Sequence, residues 1–232
     1  KAFSEIQAGF KARKPVLLHG VTGSGKTEIY MKLAHNALSR NRNVLYLVPE
    51  IALSRQLEDR LYEYFGERLM VFHSAESAAS KRNVAERIRT SSEGYIVLGT
   101  RSSLFLPHHD LGLIIVDEEH DNSYKQDSPA PRYNGRDTAL IRQPTHGCGI
   151  ILGAATPSLE ELYNCQAGRH VLVELKERYH GSESSDIEII DTKAERRKRG
   201  MNGNFSRKLI DHMNRALEQG GQIMILRSRR AW

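Results

Sequence analysis

The stretch 16-VLLHGVTGSGKTEIYMKLA-34 sets an apolar run against a helix-forming run, with a glycine-rich break between them. Gly20, Gly23 and Gly25 fall within six residues, and Lys26 and Thr27 follow directly. Glycine is a poor helix former, so its density here marks a tight turn. The run after it predicts a helix with Ile29, Leu33, Ala37 and Leu38 on one face. The segment 20-GVTGSGKT-27 fits the pattern G-x-x-x-x-G-K-[ST], placed between a strand and a helix. Glycines let the backbone turn so that several N–H groups converge on one anion. The N-terminus of the following helix adds partial positive charge. On this reading Gly20, Val21, Thr22, Gly23, Ser24, Gly25, Lys26 and Thr27 form a nucleotide cradle. Lys26 is expected to reach the β- and γ-phosphates, and Thr27 to hold Mg²⁺. The plain alternative is a glycine-rich structural turn.

Outward from the turn, short apolar runs recur: 44-VLYLV-48, 69-LMVF-72, 95-YIVLG-99, 113-LIIVD-117 and 149-GIILGA-154. Each is apolar on consecutive positions rather than alternating, as in strands of a parallel sheet covered on both faces. Between them lie helical patterns, such as 53-LSRQLEDRLYEYF-65 with Leu53, Leu57, Leu61 and Phe65 four residues apart. Strands alternating with helices predict an α/β fold, a mostly parallel sheet with helices on both faces. The texture changes after Leu175. Residues 1–175 are expected to form the nucleotide-binding domain, 176–205 a polar linker, and 206–232 the start of a second lobe. In the linker, 187-IEII-190 predicts a short strand, and the basic run 196-RRKR-199 a solvated face. Beyond it, 206-SRKLIDHMNRALEQ-219 predicts a helix capped by Ser206 and stopped by Gly220 and Gly221, then a strand at 222-QIMIL-226.

A P-loop needs a carboxylate partner, and 113-LIIVDEEH-120 supplies one at the end of an apolar strand. Asp117 is expected to join the Mg²⁺ shell, and Glu118 to polarise the attacking water. Composition agrees with a globular chain: 232 residues, 39% apolar, and no apolar run near the length of a membrane span. No leader precedes the mixed sequence, so secretion is not expected. The net charge of +6 suits a polyanion such as nucleic acid. Two cysteines, Cys148 and Cys165, make neither a disulfide framework nor the paired spacing of a zinc site. A reducing, cytoplasmic setting is expected.

A P-loop followed by DEEH resembles superfamily 2 helicases and translocases. The segments GVTGSGKTEIY, 48-VPEIALSRQ-56, 73-HS-74, 99-GTRSSLF-105, 117-DEEHDNSYKQD-127, 132-RYNGRD-137 and 152-LGAATPSLE-160 resemble, in order and spacing, the PriA family of primosomal replication-restart DNA helicases. The resemblance covers residues 15–175 and implies a RecA-like domain. The tail 218-EQGGQIMILRSRRAW-232 is similar to the start of that family's second motor lobe, with Ser228 where Asn is common and Ala231 where Gly is common.

The resemblance implies roles for matching residues. Thr100 and Arg101 would contact the backbone of single-stranded DNA, with Arg101 as the charge. The other reading has Thr100 capping a helix and Arg101 paired with an acid. Ala155 and Thr156 would couple hydrolysis to movement, and His120 would relay between nucleotide and DNA. The stretch 121-DNSYKQDSPAPRYNGRD-137 resembles an aromatic-rich, DNA-sensing loop. In it Tyr124 and Tyr133 would stack on bases, and Lys125, Arg132 and Arg136 would supply charge. Pro129, Pro131 and Asn134 depart from the family pattern there. Gln7 stands as the upstream glutamine that could read adenine.

The implied function is an ATP-dependent DNA motor lobe, 3′-to-5′ in the whole protein, with ATP and Mg²⁺ as cofactors and no zinc in this part. Implied partners are single-stranded and forked DNA, replication-restart proteins and the machinery that loads the replicative helicase, with no membrane. Alternatives are another superfamily 2 translocase, a P-loop enzyme acting on a small molecule, and a passive DNA-binding module.

Overall fold

A computed structural model describes residues 1–50, 52–73, 76–177 and 187–226. The chain divides into two compact units, residues 1–182 and 183–232.

The first unit opens with α1 (Ala2–Lys11), β1 (Val16–Gly20) and α2 (Lys26–Leu38). Then come β2 (Asn43–Leu47), α3 (Arg55–Phe65), β3 (Leu69–Phe72), α4 (Ala78–Thr90), β4 (Ile96–Gly99) and β5 (Leu111–Val116). A two-residue ladder, β6 (Lys125–Gln126) with β7 (Tyr133–Asn134), leads into α5 (Gly135–His146). The unit continues with β8 (Gly149–Ala154), α6 (Leu159–Gln166) and β9 (Val171–Leu175). Seven strands form one sheet in the order β3-β4-β2-β5-β8-β1-β9, and every pair is parallel.

The consecutive apolar runs are explained by two cores, one on each face of the sheet. Val16, Leu18, Val44, Tyr46, Ile96, Leu98 and Ile115 pack with Ile6 of α1, Leu33 of α2 and Leu61 of α3. The intervening Leu17, Leu45, Leu47, Val97 and Ile114 pack with Val84 and Ile88 of α4 and Ala139 of α5. Side chains alternate across a strand, so a strand buried on both faces must be apolar at every position. Cys148 is buried against the second of these cores, and burial pushes its thiol up to about 11. Among the described residues, no helix is long and apolar enough to cross a membrane.

The second unit contains α7 (Thr192–Arg197), the two-residue strands β10 (Met201–Asn202) and β11 (Phe205–Ser206), and α8 (Arg207–Glu218). Ser206 caps α8, its Oγ accepting from the Leu209 N–H at 3.1 Å. Two expected strands do not form. Residues 187–190 and 222–226 join no strand ladder among the described residues, although Glu188 is ion-paired with His212 at 3.0 Å, and Ile187, Ile189, Met224 and Leu226 lie exposed. An apolar run makes a strand only where a ladder partner takes up its backbone groups. Ser228 and Ala231 lie outside the described residues.

Candidate nucleotide and nucleic-acid site

The P-loop leaves the carboxyl end of β1. Gly23 and Gly25 adopt φ of 78° and 87°, the left-handed region that glycine enters without strain. Gly25 is the N-cap of α2, and no side chain caps that end. The side chains of Ser54, Ser77, Asn134 and Ser158 cap α3, α4, α5 and α6. The first N–H groups of α2 are therefore left for a ligand. Ser24 Oγ is buried with no hydrogen-bond partner among the described residues. Lys26 Nζ donates to the Gly20 carbonyl at 2.8 Å. Thr27 is half-buried in the first turn of α2. An orphaned hydroxyl, an uncapped helix and a lysine turned back over the loop fit a phosphate chain.

Parallel strands bring the acids alongside. β8 lies between β5 and β1, so the loops after β5 and β1 flank the end of β8. Ligands of open α/β sheets bind in such crevices at the carboxyl ends of strands. The Asp117 carboxylate accepts from Tyr30 Oη at 3.0 Å and from the Glu118 N–H at 3.1 Å, with Tyr46 Oη at a long 3.5 Å. Burial, then the neighbouring Glu118 charge, raises its pKa to about 6, against the lowering pull of Tyr30 and Lys26. Gly153 makes room for this arrangement: a Cβ there would lie 1.6 Å from Tyr30 Oη. Glu118 sits at φ 46°, and its Oε1 is 3.9 Å from Lys26 Nζ. Its Oε2 is 3.8 Å from His120 Nδ1, and His120 Nε2 is 3.4 Å from Thr156 Oγ1. Glu118, His120 and Thr156 thus form a polar chain from the acid pair to the loop after β8, beside Ala155.

The residues expected on the DNA side divide. Thr100 is buried at the N-cap position of the 3₁₀ turn Arg101–Phe105. Arg101 donates to the Ser123 carbonyl at 2.5 Å and to Glu50 Oε1 at 3.2 Å. The acid-pairing alternative is thus seen for Arg101, whereas the Thr100 side chain, though at the N-cap position, makes no capping hydrogen bond. Tyr124 is not available to stack: it is 1% exposed, and its Oη donates to the Asp117 carbonyl at 2.7 Å. Arg136 turns inward to Glu119, Nη1 to Oε2 at 2.9 Å. Lys125 and Arg132 do face solvent, with Lys125 Nζ 3.2 Å from Asp127. Tyr133 meets Phe105 edge to face at 5.0 Å, and Phe105 is 61% exposed. Gln7 lines a cavity with Leu113, Cys148 and Gly149, at the amino ends of β5 and β8. The P-loop follows the carboxyl end of β1, so the adenine assignment of Gln7 does not hold.

The sequence matches the DEAD/DEAH box helicase family across residues 1–165. The chain belongs to that family. It is similar to Replication restart protein PriA of Rickettsia typhi, 43% identical over 222 residues, 96% of this chain and 34% of that protein. The proteins of that name from Bacillus subtilis and Treponema pallidum are 37% and 38% identical over 94% and 100% of this chain, and 27% and 34% of their own lengths. The chain therefore spans about a third of the length of the curated relatives it matches. Two solved structures share the fold. The DUF1998 helicase MrfA bound to DNA and AMPPNP has a TM-score of 0.52 at 23% identity, covering 74% of this chain and 26% of that one. The Hef helicase domain of Pyrococcus furiosus has a TM-score of 0.52 at 17% identity, covering 77% of this chain and 39% of that one.

Set within a DEAD/DEAH box helicase domain, two groups of residues stand out that motif reading misses. Tyr30 and Tyr46 shield the Asp117 carboxylate, and burial raises both phenols well above their ordinary pKa. The one visible signal is a hydroxyl in the otherwise apolar run 44–48. Phe105 is the second: nothing in 104-LF-105 tells which of the two points inward.

Proposed function

We propose that the chain is the ATP-binding motor lobe of a DNA helicase acting in replication restart, unwinding 3′-to-5′ in the whole protein. Residues 1–175 would form the first lobe, 176–205 a linker, and 206–232 the start of the second. The observation that carries the reading is the approach of Lys26 to Glu118, 3.9 Å, between the P-loop and the strand-end acids. A lysine ammonium has three donors, and the Gly20 carbonyl engages one of them. The others serve phosphate oxygens, along with the free N–H groups of α2. Thr27 and Asp117 would hold Mg²⁺, which when bound neutralises charge developing on the phosphates. Glu118 accepts a proton from the attacking water. His120 and Thr156, with Ala155 beside them, carry the state of that carboxylate toward the nucleic-acid side.

Single-stranded and forked DNA are the proposed substrates, and replication-restart proteins and the replicative-helicase loading machinery the proposed partners. The +6 net charge supports a polyanion. Exposed Lys125, Arg132 and Phe105, with half-buried Tyr133 beside Phe105, are groups suited to backbone and bases. Arg101 serves DNA on leaving Glu50. The test is ATP turnover, with and without forked DNA, by a chain extended to the length of its relatives. Lys26→Ala should remove turnover, because loss of one transition-state charge costs several kcal/mol. Normal turnover by that variant, or indifference of the parent to DNA, would overturn the proposal.

A further inference from the structure

We propose that the cavity at the amino ends of β5 and β8 is a second ligand site, which takes a phosphate-bearing small molecule of nucleotide size, separate from the ATP of the P-loop. The inference does not depend on the motor-lobe reading above. The cavity has a volume of about 500 Å³, within the range of roughly 300–1,000 Å³ typical of small-molecule sites. It lies in the first unit, among α1, the last turns of α2, the end of α5 and the starts of β5 and β8. β5 and β8 are six residues each, so about 20 Å of strand separates the cavity from the loops at their carboxyl ends.

Its charge is one-sided. Lys11, Arg13, Arg40 and Arg42 line it, and no carboxylate does. Lys11, Arg13 and Arg40 make no ion pair or side-chain hydrogen bond among the described residues. Arg42 is fixed in place. Its Nε donates to the Asp110 carbonyl at 3.0 Å, and its Nη2 to the Leu111 carbonyl at 2.5 Å and to the His146 carbonyl at a long 3.5 Å. A guanidinium carries five N–H donors, and the two on Nη1 have no partner among the described residues. Carbonyls hold the fork still without neutralising it. The charge is felt nearby: the pKa of His146 is lowered by burial first, then by Arg142 and Arg42, against the pull of Asp110. Arg13 is an independent observation. It follows the C-cap of α1 at φ 56°, a position where glycine is usual because other side chains are strained there. Residues strained in this way cluster at ligand clamps.

The remaining walls are largely apolar. Leu33 of α2 and Leu113 of β5 are buried. Phe10 of α1 is half-buried and packs over Gly149, where a Cβ would lie 2.8 Å from the ring. Gly112 makes the same room for Arg42, since a Cβ there would lie 2.5 Å from the Arg42 Cβ. Two glycines thus let an aromatic ring and an anchored guanidinium sit at one wall. Such a wall suits a flat ring. A rim of arginines suits phosphate oxygens, which guanidinium groups bind through paired N–H donors. A volume of this size holds one such molecule and not a length of strand.

The test uses the extended chain carrying Lys26→Ala, which weakens phosphate binding at the P-loop. Isothermal titration with ADP should still show one site. Arg42→Met, added to that chain, should weaken the site by about tenfold or more, the worth of one charge-assisted hydrogen bond. If Arg42→Met fails to fold because its carbonyls lose their donor, Lys11→Glu with Arg40→Glu reverses two exposed charges and leaves the packed wall alone. That pair should weaken ADP by at least as much. Inorganic pyrophosphate should bind about tenfold more weakly than ADP, because it brings no ring to the apolar wall. Loss of all ADP binding with Lys26→Ala alone would overturn the proposal, as would binding that ignores the cavity variants. Equal affinity for pyrophosphate would reduce the cavity to a bare anion patch and overturn it too. Displacement of ADP by a short oligodeoxythymidine would put the cavity on the path of DNA, and a small-molecule site would be ruled out. Turnover of the parent with and without DNA is read separately, so failure of the second site leaves the motor reading standing.

Discussion

At the scale of single residues, the candidate site is a problem of charge in a confined space. Asp117 and Glu118 are neighbours, and burial already works against ionising the first of them. Its folded pKa of about 6 lies above the ordinary carboxylate value. The folded state therefore holds the proton more tightly than the unfolded chain does. The stability this contributes is complete below about pH 4 and is lost as pH rises through about 6. A shift of about two pKa units is worth roughly 3 kcal/mol. In chelated buffer, Asp117→Asn should match the parent near pH 4 and be more stable by up to about 3 kcal/mol at pH 7.5. Denaturant melts at the two pH values check this, and a constant difference would remove burial as the cause. Residues also show where sequence reading stopped. The strand-end positions of Lys26, Thr27 and the two acids were legible because each of the two motifs is local, its spacing written in consecutive positions. Tyr124 and Arg136 were not, because whether a side chain faces solvent or folds back onto the strand end depends on the path of the loop that carries it, which spacing does not encode.

At the scale of elements, the central strands were legible from their unbroken apolar runs. β9 was not, because its residues are only half covered and its run 171-VLVEL-175 ends in polar sequence. The strands expected at 187–190 and 222–226 failed for the opposite reason: a pattern without a neighbour. Packing between α2 and β8 is close at one point. Tyr30 is fully buried, and its hydroxyl lies over Gly153. Gly153→Ala must displace that ring and should cost about 1–3 kcal/mol, the range for overfilling a packed core. Adding Tyr30→Phe should recover part of the loss, because the hydroxyl is the nearest atom. Urea melts of the two single variants and the double variant measure the coupling, and strict additivity would deny the contact.

At the scale of the whole molecule, the two units differ in kind. The first buries a sheet between two apolar cores, whereas α8 of the second buries none of its residues. Residues 1–182 should therefore keep their circular dichroism and melting temperature when the rest is removed. We further propose, as the resemblance to superfamily 2 helicases implies, that an arginine from the second motor lobe completes the hydrolytic site; such residues are worth roughly 10³–10⁵ in rate. The 232-residue chain should then bind a fluorescent ATP analogue yet turn over ATP slower than the extended chain by about that factor. Brisk DNA-stimulated turnover by the short chain would contradict this. The left-handed backbone at Glu118 bears on the same balance. A non-glycine residue there costs about 1–2 kcal/mol, and the adjoining like charge adds to the penalty. Glu118→Gly should accordingly raise the melting temperature while silencing hydrolysis. Thermal robustness alone would favour that inert form, so on the proposed reading the left-handed torsion at Glu118 is stability given up for hydrolysis.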